Sequence, residues 1–288
     1  MTEEKQCKSC SEKCDASEKG PNESEEQFLQ RQAVAKRMCK IKRKFVVLSG
    51  KGGVGKSTVA ANLALSLSSR GRKVGLLDVD IHGPSIPKLF GLDDAQLKSD
   101  GAAMLPVTYK GLKVMSIGFT LLNRDEAVIW RGPLKYGAIR QFLGEVEWGE
   151  LDYLIVDSPP GTGDEPLSVV QQIGDAAAGV IVTTPQQISI SDVRKSVTFC
   201  QKMDLPVAGV IENMSGFVCP KCREVTHIFK QDGGMQMAKD MGVPFLGKIP
   251  IDPEIVNACD SGTPFVSEHK DSETALVFEG IVEQLLKE

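Results

Sequence analysis

From Lys44 onward, compact apolar runs alternate with segments whose apolar residues recur every three or four positions. Phe45–Ser49 is the first such run, and Lys73–Asp78, Leu112–Ile117, Tyr153–Asp157, Gly179–Thr184, Val207–Glu212 and Phe245–Ile249 repeat it. Their length and their Val, Ile and Leu content predict strands rather than helix interiors. Ser57–Ser69 sets Val59, Leu63 and Leu67 on one helix face, and Glu165–Ile173, Ser191–Met203 and Gly233–Met241 predict further helices. Strands that are apolar throughout are covered on both faces, and helices between successive strands make the sheet parallel. The expected fold class is therefore α/β, a mostly parallel sheet with helices on both faces. Nothing in composition divides residues 41–288, so they read as one domain without internal repeats.

Residues 1–40 break this pattern. Cys7–Glu26 is rich in Glu, Ser, Lys and Cys and almost empty of apolar residues, so it cannot build a core alone. Gln27–Arg37 could form a short helix before the basic stretch Lys36–Lys44, and the whole segment reads as a mobile, cysteine-containing tail unless a metal orders it. Across the 288 residues the formal net charge is -4, which argues against the basic footprint of a nucleic-acid binder. No apolar run is long enough to span a bilayer, and the acidic first residues lack the apolar core of a signal peptide. A cytoplasmic chain is expected, with no membrane and no nucleic-acid partner. In a reducing compartment its eight cysteines point to metal or redox chemistry before disulfides.

The strongest motif is Gly50-Lys51-Gly52-Gly53-Val54-Gly55-Lys56-Ser57, which fits G-x-x-x-x-G-K-[ST] between a predicted strand and a predicted helix. Its glycines let backbone N–H groups curl around phosphate oxygens, and the following helix adds its positive end. Lys56 is expected to reach the β- and γ-phosphates, Ser57 to bind Mg²⁺, and Thr58 to complete the nucleotide contacts. Asp157 ends the apolar strand Tyr153–Asp157 and would hold Mg²⁺ through water; the loop Ser158–Asp164 behind it is suited to sensing the γ-phosphate. Asp80, after the strand Lys73–Asp78, is expected to orient the attacking water, with Asp78 only supporting the loop. Glu212-Asn213-Met214 has no Asn-Lys-x-Asp that would select guanine, so ATP is favoured over GTP.

A lysine at the second position of this loop, Lys51, resembles the deviant Walker A motif of the MinD, ParA and nitrogenase iron-protein group. The resemblance implies that Lys51 crosses a dimer interface to the partner's nucleotide, coupling ATP binding to dimerisation. Within that group, Ser49–Ser57, Asp78–Ser85, Val156–Asp164 and Asn213–Cys222 resemble the Mrp/ApbC iron-sulfur cluster carriers over roughly residues 40–288. That likeness implies a homodimeric ATPase serving apo iron-sulfur client proteins, with Asn213, Pro250 and Asp252 beside the adenine. A spatial regulator like MinD or ParA, or an electron-transfer ATPase like the nitrogenase iron protein, would share the nucleotide site. Against the first, the amphipathic end Ala275–Glu288 is acidic; against the second, a single C-x-x-C stands where two separated cysteines belong.

Cys219-Pro-Lys-Cys222 offers two thiolates, half of a four-thiolate shell, and a symmetric dimer supplies the other half. A [4Fe-4S] cluster bridging two subunits follows, and in the resembling family this pair is the transferable cluster site. A zinc half-site and a thioredoxin-like redox pair compete with it. Cys7, Cys10 and Cys14, with Cys39 as a fourth, have ligand-like spacing, and a second cluster, zinc or an unliganded tail all stay open. Cys200 and Cys259 read as core or half-buried residues. His227 is a candidate neighbour of the C-x-x-C site.

Overall fold

The structure, a computed structural model, describes residues 18–21, 23–120 and 130–287. Its centre is an eight-stranded sheet: β1 (Ile41–Ser49), β2 (Val74–Asp78), β3 (Val107–Tyr109), β4 (Leu112–Ser116), β5 (Leu151–Asp157), β6 (Ala177–Thr183), β7 (Val207–Glu212) and β8 (Phe245–Lys248). Across the sheet the order is β8-β7-β6-β1-β5-β2-β4-β3, and every pairing is parallel except that of the edge strand β3 with β4. β1 lies between β5 and β6, so Asp157 finishes beside Val47, two residues before β1 ends at Ser49, at the C-terminal ends of the strands. Its Phe45, Val46, Val47 and Leu48 are buried, as a strand covered on both faces requires.

The longer helices are α1 (Glu25–Met38), α2 (Lys56–Ser69), α3 (Gly132–Gly144), α4 (Asp164–Gln172), α5 (Gln187–Lys202), α6 (Gly233–Asp240), α7 (Pro253–Asp260) and α8 (Glu273–Lys287), with single turns at Ile86–Leu89 and Phe265–Glu268. The predicted strands and helices all form, with ends moved by a few residues. β1 begins four residues before the expected Phe45, through Lys42, Arg43 and Lys44. Lys44 is nevertheless buried, because its ammonium donates to the carbonyl of Asp175.

The picture of residues 1–40 as a mobile tail does not describe α1. Ser24 caps this helix in a reciprocal capping box with Gln27. Val34 and Met38 are buried, Val34 lies against Gly144 of α3, and Arg37 donates to the carbonyl of Gly144 and pairs with Glu147. Two buried apolar side chains at about 1.5–3 kcal/mol each are enough to dock a capped helix. α1 is therefore a layer of the core. Cys39 closes it, its thiol directed to the carbonyl of Lys36. Cys7, Cys10 and Cys14 lie outside the described residues.

At the other end of the chain, α8 buries Ala275, Phe278, Ile281, Val282 and Leu285 against α2 and β8. Gln284 donates to the carbonyl of Leu246 in the edge strand β8. Among the described residues no helix is long and apolar enough to cross a membrane.

Candidate functional site

The loop Gly50–Gly55 joins β1 to α2 and is shaped by close contact. A Cβ on Gly50 would come within 2.4 Å of the Asp192 backbone in α5, and Gly55 has φ +80° with Asn213 Nδ2 2.2 Å from where its Cβ would stand. Only glycine fits either place. Asn213 donates from that amide to the carbonyl of Val54 at 2.9 Å, so the end of β7 clamps the loop. The cleft so formed holds about 250 Å³ and is walled by Lys51–Thr58, Asp80, Ser85, Leu89 and Pro160. A larger hollow of about 570 Å³ between α1, α3 and α4 has no comparable phosphate-cradling loop.

At the cleft floor, Lys56 Nζ lies 2.5 Å from Asp157 Oδ1 and 3.2 Å from Ser57 Oγ. Lys56 is 6% exposed and Asp157 is fully buried. Asp157 Oδ2, also buried, has no hydrogen-bond partner among the described residues, an arrangement that costs free energy unless something binds there. Burial pushes the Asp157 carboxyl up despite Lys56 and Ser57 beside it. The orphan oxygen, the ordered lysine and the Ser57 hydroxyl suit a divalent cation with phosphate, so the residues fit Mg²⁺ and a nucleotide.

Asp78 is buried and supports the loop, as its sequence position suggested: it accepts from Asp80 N (3.1 Å), Ile86 N (3.3 Å) and Ser116 Oγ (2.9 Å). Burial, then the Asp157 carboxylate, pushes it up to about 8. The folded value lies above the ~3.9 of a free aspartate, so the stability it contributes is complete below that value and is lost as pH rises towards 8. The urea midpoint of the nucleotide-free protein should therefore fall between pH 6 and pH 9, and Asp78→Asn should flatten that slope. Asp80 stands at the cleft wall and accepts from Gly83 N at 3.2 Å.

Lys51 also lines the cleft, and among the described residues its ammonium meets no carboxylate. Asn213, Pro250 and Asp252 are not on the cleft wall. Asn213 abuts the loop, whereas the Asp252 carboxylate caps α7 through Glu254 N (3.0 Å) and accepts from Thr274 Oγ1 (2.7 Å), fastening α7 to α8. Thr58 Oγ1 lies 3.8 Å from Cys259 Sγ, a neighbour that sequence spacing did not suggest.

Cys219 and Cys222 occupy the tip of a small hairpin in which Phe217–Val218 pairs with Val225–Thr226. Arg223 N donates to Cys219 O and Cys219 N to Glu224 O, closing the turn, with Arg223 at φ 63°. Cys222 is exposed and Cys219 half-buried. The backbone N–H groups of Cys222 and then Lys221, with the Cys222 thiol, hold the Cys219 thiol below its usual range. Such donors favour a thiolate ready for metal. The hairpin leaves β7 just beyond Asn213, so the thiols and the phosphate loop share one end of the sheet. His227 reaches back over Gly216 rather than standing apart.

Cys200 is the opposite case. It is fully buried in α5 and burial pushes it up to about 12. Iodoacetamide should therefore label Cys222 in the native protein and leave Cys200 unmodified until denaturant is added, as mapped by peptide mass spectrometry.

A family model described as an iron-transfer P-loop NTPase of the NUBPL type, within the ParA group, matches residues 40–286. The chain is 50% identical over 255 residues to an iron-sulfur cluster carrier protein of Methanocaldococcus jannaschii, covering 88% of this chain and 87% of that one. It is 49% identical over 246 residues to the cytosolic Fe-S cluster assembly factor NUBP2 of Gallus gallus, covering 84% and 90%. Among solved structures, a nucleotide-binding protein of Archaeoglobus fulgidus in complex with ADP superposes with a TM-score of 0.73 at 42% identity, over 83% of this chain and 93% of that one.

Proposed function

The chain belongs to the family of NUBPL iron-transfer P-loop NTPases, and on that premise we propose that it is a weak ATPase that assembles or carries a [4Fe-4S] cluster and delivers it to apo iron-sulfur proteins. The observation that carries this reading is the pair Cys219 and Cys222, presented at a hairpin tip on the same end of the sheet as the phosphate loop. Two chains facing each other at that end would supply four thiolates to one cluster. The exposed apolar side chains of Val225 in the hairpin and Ile228 just after it favour a partner there.

In the nucleotide site, the N–H groups of Gly52–Lys56 would receive the phosphates. A γ-phosphate would offer Lys56 a second anionic partner and draw it from Asp157. Ser57 would hold Mg²⁺, with Asp157 behind it through water; that cation would neutralise charge developing on the β- and γ-phosphates. Asp80 would orient the attacking water, and Lys51 would reach the partner chain's phosphates. Asn213 and the backbone at Pro250–Asp252 would flank the adenine. Nucleotide state would then set how tightly the chains close on their cargo.

A lipid-bound regulator is less well supported, because the apolar face of α8 is packed inside the protein. The test is anaerobic reconstitution with iron and sulfide of the full chain and of one shortened by residues 1–17, followed by Mössbauer spectroscopy. A [4Fe-4S] signal in the shortened chain, one cluster per two chains, is the expected result. Zinc alone, or no metal, in that chain would overturn the cluster assignment. Cys7, Cys10, Cys14 and Cys39 as holders of a second cluster would appear as extra iron in the full chain.

A further inference from the structure

Outside the cleft, one cluster joins three separate segments. Lys135 of α3 places Nζ 2.5 Å from Glu165 Oε1 in the first turn of α4, and 2.7 Å from His82 Nε2 in the loop that carries Asp80. The Lys135 and Glu165 side chains are only 15% and 12% exposed. A lysine ammonium has donors alone, so His82 Nε2 accepts and the imidazole carries its proton on Nδ1. Gly132, at the start of α3, sits where a Cβ would lie 3.4 Å from Asp164 Oδ2, so α3 abuts the γ-phosphate-sensing loop as well.

The arrangement is costly to keep without a purpose. A largely buried ion pair returns little net stability compared with apolar packing. Its geometry, however, fastens the Asp80 loop to the helix that begins where the Asp157 loop ends. Glu165 anchors Lys135, and Lys135 in turn reaches the exposed His82. The short turn from His82 back to Asp80 is closed by Gly83 N on Asp80 Oδ1, so fixing the ring fixes the carboxylate.

We propose that Lys135 is a positioning residue for nucleotide hydrolysis: by bridging Glu165 and His82 it holds the Asp80 loop in register with the loop after Asp157. The inference rests on the hydrolysis half of the function proposed above and is independent of the cluster. Lys135 touches no reacting atom and acts only through His82 and Asp80. Its loss should disturb the rate of hydrolysis and spare ground-state binding, because the phosphate cradle is built by other residues.

The test compares Lys135→Met, His82→Ala and the double variant with the full chain. Without nucleotide, hydrogen exchange of the peptide spanning 79–86 should quicken about tenfold in each single variant, the worth of one charged hydrogen bond. Exchange in β1 should stay unchanged. Affinity for a fluorescent ADP should stay within about twofold, while single-turnover ATP hydrolysis falls about ten- to a hundredfold. The double variant should be no slower than either single one. Unchanged exchange at 79–86, or single losses that multiply in the double variant, would overturn the proposal. His82→Ala keeps the test valid if Lys135→Met folds poorly, since His82 is exposed. If the unaltered chain does not hydrolyse ATP, the hydrolysis reading fails, while the exchange data still decide the tether.

Discussion

Replacing both Cys219 and Cys222 by serine in a chain lacking residues 1–17 is expected to abolish bound iron and the brown absorbance after anaerobic reconstitution. Serine keeps the size and the turn but loses the soft thiolate that iron-sulfur clusters require. The turn itself rests on backbone bonds, Arg223 N to Cys219 O and Cys219 N to Glu224 O, so the hairpin should persist. Nucleotide affinity should change little, because the cradle lies at the other end of the Asn213 segment. Each single serine variant should lose nearly as much iron as the double one, since two chains with one thiolate each cannot fill a four-thiolate shell. Iron and sulfide measured per chain, with the visible spectrum, decide the matter; full retention in the double variant would require other ligands.

The second large effect concerns Lys56. Lys56→Met should reduce ATP hydrolysis by at least about a hundredfold, since the cation that meets the β- and γ-phosphates is gone. It should also destabilise the nucleotide-free protein by about 3–5 kcal/mol, because the buried Asp157 loses its counter-ion. Asp157→Asn in the same chain should recover much of that stability and none of the activity. Urea unfolding of the two single variants and the pair measures the coupling directly. Simple addition of the two single effects would mean that the 2.5 Å contact contributes nothing to the fold.

Much of this was legible in the sequence because the motifs carry their own context. The glycines of Gly50–Gly55, the acid at the end of an apolar strand and the C-x-x-C each follow from residue type and spacing. The parallel sheet followed from strands without a polar face. What escaped had a weaker local signature. α3 contains Gly132, Pro133, Gly137 and Gly144, poor helix formers that give the segment no helical signature, and it packs against α1 and α4. α1 has few apolar residues, and only its contact with Gly144 reveals that Val34 and Met38 belong to the core. The lysines at the start of β1 hid four residues of strand. Lys135, His82 and Glu165 lie too far apart in sequence for any pattern to join them. The tie between α7 and α8 through the Asp252 carboxylate, on Glu254 N and Thr274 Oγ1, likewise has no signature in local sequence.

The margins of the sheet limit how two chains can meet. One margin is the three-residue antiparallel strand β3, and at the other Gln284 of α8 already engages the backbone of β8 at Leu246. Growth by adding a neighbour's strand would find a very short template on one side and would have to displace a fitted side chain on the other. Fibre-like lengthening of the sheet is thereby discouraged. The pairing proposed above, through the end that bears the loops, would leave both margins untouched, and an isologous contact there would close on itself after two copies.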